Sequence, residues 1–372
     1  MVNKSPTHSE LFSLLPVCTH AVLVTYVSIT WYSRGKCTMG DETDVLLGSR
    51  IPISIVAILT NVTSLIIVFT STSLHTNGFI RNILSLCVSD LLTAVFVIPI
   101  SLIYHGSVSI NRGSEVCNAW SRLAYCNRAL SCFILVTMCI FCLVSKLHNN
   151  RRIKLRVYKM IEVALVIIPW LFVLVAYVPL FLIEQNNTKS GDDFAEQLCF
   201  FTNTNYQFPL TVIFLVFPPC LLILTIIVMH VMYKVMQRKS EHPQEPDTET
   251  EVDGRLRMFT IGTWLVSLMT ICCWIPFIIV MILLLFCRSS TSSIASCYPS
   301  LHAIDTTYTI SLVPSTLTPL CWLCIRAFRV RASLMTSCVT QACRCGQSIN
   351  CTNCTHCQKS TTGDDINALT EY

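Results

Sequence analysis

Charge is what this sequence has least of. Lysine, arginine, aspartate and glutamate make up 13% of its 372 residues, against about 25% in an ordinary soluble domain. Apolar residues make up 53%, and the mean hydropathy is +0.60. A water-soluble globule is excluded by that balance, and most of the chain must lie in lipid. Other absences narrow the function. No Ser/His/Asp or metal-ligating constellation falls within the apolar spans, so the chain is not expected to be an enzyme or to hold a metal cofactor. There is no internal repeat and no pair of broken helices in corresponding halves, which counts against a small-solute transporter even though ionisable residues lie inside the spans. The polar connection from Glu241 to Gly254 is too short to be a domain.

What is present is a series of seven apolar stretches, near 48–70, 80–104, 118–145, 160–183, 207–235, 256–287 and 298–325. Each reaches the roughly 20 residues that a membrane helix needs. The expected fold is an all-α membrane protein, a seven-transmembrane helix bundle, with a short interfacial helix after the seventh span. The parts are an extracellular segment at 1–47, the bundle at 48–325, an amphipathic interfacial helix at 326–336, and a Cys-rich cytoplasmic tail at 337–372. Orientation follows from the loops, because cytoplasmic connections retain Lys and Arg. The loop after the third span carries Lys146, Arg151, Arg152, Lys154, Arg156 and Lys159 without an acid, whereas the loop after the fourth carries Glu184, Asp192, Asp193 and Glu196 against Lys189. The N-terminus is therefore expected outside and the C-terminus inside, as in a multi-pass protein of the plasma membrane. The net charge of +5 is explained by this topology, and nothing points to nucleic acid.

Several residues within the spans are out of place in hydrocarbon. Cys273-Trp274-Ile275-Pro276 places a bulky indole two residues before a proline that removes a backbone donor and bends the helix, so that a swing of the helix would repack the indole. Pro319 and Trp322 punctuate the last span in a similar way. Asn61 lies in the first span and Asp90 in the second, where a mid-membrane carboxylate costs about 2.5–3.5 kcal/mol unless it finds a partner or a wet cavity. The third span holds Asn127, Arg128 and Ser131, the last two sharing a helix face. Tyr125, Arg128, Trp274, His302, Asp305 and Tyr308 are the candidates for a ligand pocket.

The 22 cysteines divide by side of the membrane. Outside, disulfides are expected between Cys117 and Cys199, between Cys287 and Cys297, and between Cys18 and Cys37. Cysteines within spans read as small apolar packing residues. In the tail, Cys338, Cys343 and Cys345 are candidates for S-acylation, and the Cys351 to Cys357 stretch offers thiolate spacing for zinc without a second matching pair. Asn3 and Asn186 open glycosylation sequons on the outside face. The apolar stretch from Leu11 to Tyr32 reads as a segment packing over the bundle, as a poor signal peptide, or as an eighth span.

In their order, these landmarks resemble the rhodopsin-like G-protein-coupled receptors over about residues 48 to 336. The residues that carry the resemblance are Asn61, Leu86, Asp90, Cys117, Cys199, Trp170, Pro218 or Pro219, Cys273-Trp274-Ile275-Pro276, Thr318-Pro319-Leu320-Cys321-Trp322 and Phe328. The resemblance implies a receptor whose outer cavity takes an extracellular ligand, whose sixth helix swings on activation, and whose inner crevice admits a heterotrimeric G protein. It also implies a sodium pocket at Asp90 and Ser131, with Trp274 as the switch.

The departures are specific. The family's Asp/Glu-Arg-Tyr falls on Phe141-Cys142-Leu143, and its Asn-Pro-x-x-Tyr appears as Thr318-Pro319-Leu320-Cys321-Trp322, losing an amide and a phenol hydroxyl. The aromatic six residues before the kink proline is Thr270. These leave room for a seven-span decoy or scaffold that binds without activating a G protein. Where amine receptors carry an Asp, seven residues after the cysteine, this chain has Ala124, which disfavours a biogenic amine. Arg128 has three readings: an ion pair with Asp90 that replaces sodium, a receptor for an acidic ligand group, or a side chain reaching Asp305 or water.

Overall fold

The computed structural model describes residues 42–70, 78–106, 115–149, 153–185, 212–240, 250–289 and 301–323. Each of the seven expected spans falls on a helical segment over its described residues, the seventh with a turn at 311–313. The first is α1, Glu42–Thr70. The second comprises α2, Gly78–Leu92, a π-helical turn at Thr93–Val97, and α3, Ile98–Gly106. The third and fourth are α4, Glu115–Asn149, and α5, Leu155–Gln185. The fifth opens on a second π turn, Val212–Val216, and continues as α6, Phe217–Ser240. The sixth, α7, runs unbroken over Thr250–Ser289 with Pro276 inside it. The seventh is divided into α8, Leu301–Ile310, and α9, Pro314–Leu323. Among the described residues, six segments are long and apolar enough to cross a membrane as they stand. The chain is thus an all-α, seven-span membrane bundle.

The interruptions have a common cause in proline. Pro99 follows the first π turn, in which the Ile98 amide donates to the Thr93 carbonyl five residues back. The next amide in that series would serve Ala94, but Pro99 has none to give. The Ala94 carbonyl is taken instead by the Ser54 hydroxyl at 2.7 Å, and the Val97 carbonyl by the Trp120 indole at 2.8 Å. The unusual turn thereby ties the first and third spans to the second. The second π turn likewise runs straight into Phe217-Pro218-Pro219. In the seventh span Pro314 ends the α-helical ladder, and the chain crosses the gap on shorter bonds from Leu312 to Thr309 and from Val313 to Ile310, both 3.1 Å. Pro319 leaves the Ser315 carbonyl without a backbone donor. Asn61 of the first span donates to it at 2.8 Å.

The third span is the hub, packing against the second, fourth, fifth and sixth. Of its membrane window 67% is buried inside the bundle, against 17% for the fourth span and 22% for the fifth. Those two present Leu171, Leu174, Val175, Leu224, Ile227 and Val231 outward, where lipid is the compatible solvent. Trp170 anchors the fourth span to the second by an indole hydrogen bond to Ser85 at 2.7 Å. The described span cysteines, Cys87 and Cys139 among them, are free thiols. The interfacial helix 326–336, the tail cysteines Cys338, Cys343 and Cys345, the sequons at Asn3 and Asn186, and the side chains of the three expected disulfides lie outside the described residues.

Candidate functional site

Two clusters of buried residues lie on either side of Asp90 along the helices. The first gathers on Tyr308. The guanidinium carbon of Arg128 lies 4.5 Å from the centre of that ring, 4.9 Å from Phe277 and 5.9 Å from Trp274. A second guanidinium, that of Arg50 in the first span, lies 5.1 Å from the same Tyr308 ring. Arg50 forms an ion pair with Asp305, and its Nε donates to Thr309 at 3.1 Å. Trp120 meets Tyr308 edge-on at 5.7 Å. Tyr125, from the turn before Arg128, is also buried.

The two arginines are not equivalent. Arg50 is 1% exposed but carries a carboxylate, a hydroxyl and the Asp305 carbonyl as partners. Arg128 is 6% exposed; the Tyr308 phenol lies beside its guanidinium, and its Nη2 has no hydrogen-bond partner. Taking a cation out of water costs several kcal/mol even after relaxation. Each ring contact returns about 0.5–2 kcal/mol, so the three rings together offset much of that without supplying a counter-charge. A positive charge is therefore held in the bundle with three aromatic rings and the Tyr308 phenol in place of an anion.

Arg128 does not pair with Asp90. The reason lies in the helical phase of the third span. Asn127 and Ser131, four residues apart, share the face turned to the second span. Asn127 donates to the Ser89 carbonyl at 3.0 Å and to the Thr93 hydroxyl, and Ser131 meets the Ser89 hydroxyl at 2.9 Å. One residue further on, Arg128 is turned by about 100° and meets the aromatics of the sixth and seventh spans instead. Nor does it reach Asp305 as an ion partner, since that carboxylate serves Arg50. Asp90 lies beside Thr318, and its Oδ2 has no hydrogen-bond partner. Asn61 Oδ1 is similarly unpartnered. Ser131, the other residue of the expected sodium pocket, meets the Ser89 hydroxyl, one residue before Asp90.

The second cluster fills the end of the bundle that leads into the basic loop. Phe79 contacts Phe259 at 4.2 Å, Phe141 at 5.7 Å and Trp322 at 6.3 Å between ring centres. Trp322 is wholly buried. Cys142 lies among these residues with its sulfur 4.0 Å from the Thr263 hydroxyl of the sixth span. The third, sixth and seventh spans and the start of the second are thus joined by rings and a thiol.

The sequence matches the family model of the 7 transmembrane receptor (rhodopsin family) over residues 60–322. The chain belongs to the rhodopsin family of seven-transmembrane receptors. Comparison with curated proteins finds no match. Within a rhodopsin-family receptor the two clusters take on meaning. The Arg128 cluster touches Trp274, two residues before Pro276 in the sixth helix, and the Phe79 cluster contains Phe141, Cys142 and Trp322, three of the positions at which this receptor departs from the family's polar inner motifs.

Tyr125, Arg128, Trp274 and Tyr308 share the first cluster, and Asp305 joins it through Arg50. His302 lies on α8, one turn before Asp305. The sequence reading missed Arg50, because a basic residue near the end of a span reads as one that snorkels to the interface. It also missed Glu162, buried in the fourth span and paired with Arg81 at 2.9 Å. A carboxylate within Met160-Ile161-Glu162-Val163 was the available signal, and its closeness to the basic loop masked it.

Proposed function

We propose that this rhodopsin-family receptor carries an extracellular ligand signal across the plasma membrane to a heterotrimeric G protein. The basic loops face the cytoplasm, and the Arg50–Tyr308–Arg128 cluster lies toward the ligand. The observation that carries the reading is the direct contact of Arg128 with Trp274 and Phe277, on either side of Pro276. Whatever displaces that guanidinium must repack the sixth helix where a proline has removed a backbone hydrogen bond. A ligand shifts the balance only by binding the repacked state better.

The donor types around Asp90 fit a sodium ion. Asp90 and Asn61 each present a buried oxygen with no donor, and hard cations take such ligands. These two residues would hold the ion and Arg128 would not, since it faces away toward the rings. An ion there would neutralise the Asp90 carboxylate.

A second reading is favoured by the inner cluster. With Cys142 and Trp322 buried among Phe79, Phe141 and Phe259, the receptor lacks the arginine through which relatives of its family meet the G protein, and it would bind ligand as a decoy or scaffold. Signalling reported through G-protein chimeras in cells, at matched surface expression, separates the two. Signal from the native chain that falls in Trp274→Ala supports the coupled receptor. Silence relieved by Cys142→Arg supports the binding-only receptor.

A further inference from the structure

We propose that the ligand of this receptor presents an anionic group, a carboxylate, sulfate or phosphate, to Arg128. The inference rests on the receptor reading and specifies the chemistry of its site. Around Tyr308 the described residues bring two guanidiniums and one carboxylate, and the carboxylate is committed to Arg50. The cluster therefore carries an excess positive charge, located on a side chain whose Nη2 is buried and makes no hydrogen bond. A cationic ligand would meet repulsion from Arg128, whose charge no carboxylate among the described residues balances. A neutral ligand could accept a hydrogen bond from the guanidinium but would leave its charge unbalanced. An anion supplies what the cluster lacks, and a planar one matches the guanidinium fork in two parallel hydrogen bonds.

The surroundings also shape the rest of the ligand. Trp274, Phe277 and Tyr308 cover Arg128 with ring faces, and Tyr125 is buried on the adjacent turn. A flat aromatic or aliphatic body behind the anion would replace these ring contacts without exposing an apolar surface to water. Because Nη2 is closed off, an anion reaches it only after the rings part. Binding and repacking of the sixth helix would then be one event, and affinity for the open arrangement alone is the condition for an agonist.

The test uses the purified full-length receptor in lipid nanodiscs, with thermal unfolding as the readout, so that it does not depend on G-protein coupling. Sodium benzoate and phenyl phosphate are the probes, benzamide and benzylamine their neutral and cationic counterparts, and sodium chloride at equal concentration controls for ionic strength. The expected result at millimolar concentration is a saturable rise in melting temperature from at least one aryl anion. That rise is absent with benzamide, benzylamine and sodium chloride, abolished in Arg128→Met and weakened in Arg128→Lys. Met keeps the length of the side chain without its charge, and Lys keeps the charge without the fork. No shift from either anion, an equal shift from benzamide or from sodium chloride, or a shift that survives in Arg128→Met would overturn the proposal. Failure in this assay leaves the receptor reading untouched if the chimera signal still falls in Trp274→Ala. An anion-dependent shift without any signal retains the ligand class and removes the coupling.

Discussion

Breaking the Arg50–Asp305 pair from its two ends should have unequal costs, and the inequality can be worked from burial. Removing one partner of a buried pair costs about 3–5 kcal/mol when the group left behind is sealed from water. Arg50 is such a group, at 1% exposure, whereas the Asp305 side chain is 27% exposed. Asp305→Ala leaves a sealed guanidinium with the Thr309 hydroxyl, a carbonyl and the Tyr308 ring, so its cost should fall near that range, reduced by about 1 kcal/mol for the ring contact. Arg50→Met leaves a carboxylate with access to water and fills the space with an apolar chain. Its cost should be about 1–2 kcal/mol, the size of one hydrogen bond to a charged group. The double variant should lie close to Arg50→Met alone, because the orphaned charge is gone. Thermal or denaturant unfolding of all four proteins in one detergent gives the cycle. Equal costs from the two ends, or a larger cost for Arg50→Met, would refute the reasoning, because burial would not then decide which charge suffers.

Three other outcomes follow from the same physics. Arg128→Met should raise stability by about 1–3 kcal/mol, since the desolvation cost it removes exceeds the attraction of the three rings for the guanidinium; a lower melting temperature would mean that the guanidinium is already satisfied. Asn61→Leu should cost about 1–3 kcal/mol by stranding the Ser315 carbonyl, and adding Pro319→Ala, which restores a backbone donor, should recover part of that loss in a double-mutant cycle. A methyl added in Gly78→Ala would meet the buried Glu162 side chain and displace it from Arg81. The expected loss of about 1–3 kcal/mol should shrink in Gly78→Ala with Glu162→Gln, where the displaced group no longer carries a charge.

The bundle itself was legible because lipid enforces it. Seven runs of sufficient length leave few alternatives, and over their described residues all seven fall on helices. Trp170, Asn61 and Asp90 were legible as polar exceptions in an apolar background. The pairing of those exceptions was not. Whether Arg128 turns toward Asp90 or toward Trp274 depends on which face of the third span meets which neighbour, and the composition of a single helix does not encode that. The division of the seventh span was foreshadowed by Pro314, yet it reads equally well as a kink, and only the shorter bonds across Ser311–Val313 make it a break. Arg50 escaped notice because its partner is 255 residues away.

The π turn at Thr93–Val97 has a consequence for numbering across the family. A wider turn takes up one residue more than an α-helical turn, so every side chain beyond Val97 is rotated by about 100° from where uninterrupted counting from Asp90 would put it. Positions in α3 matched by number alone to a receptor whose second helix is regular would be assigned to the wrong face, with a lipid-facing residue taken for a lining one. Deleting a single residue within 93–97 should act less like a shortened helix than like a change of phase, turning Ile98 and Ser101 out of the core while leaving Asp90 in place.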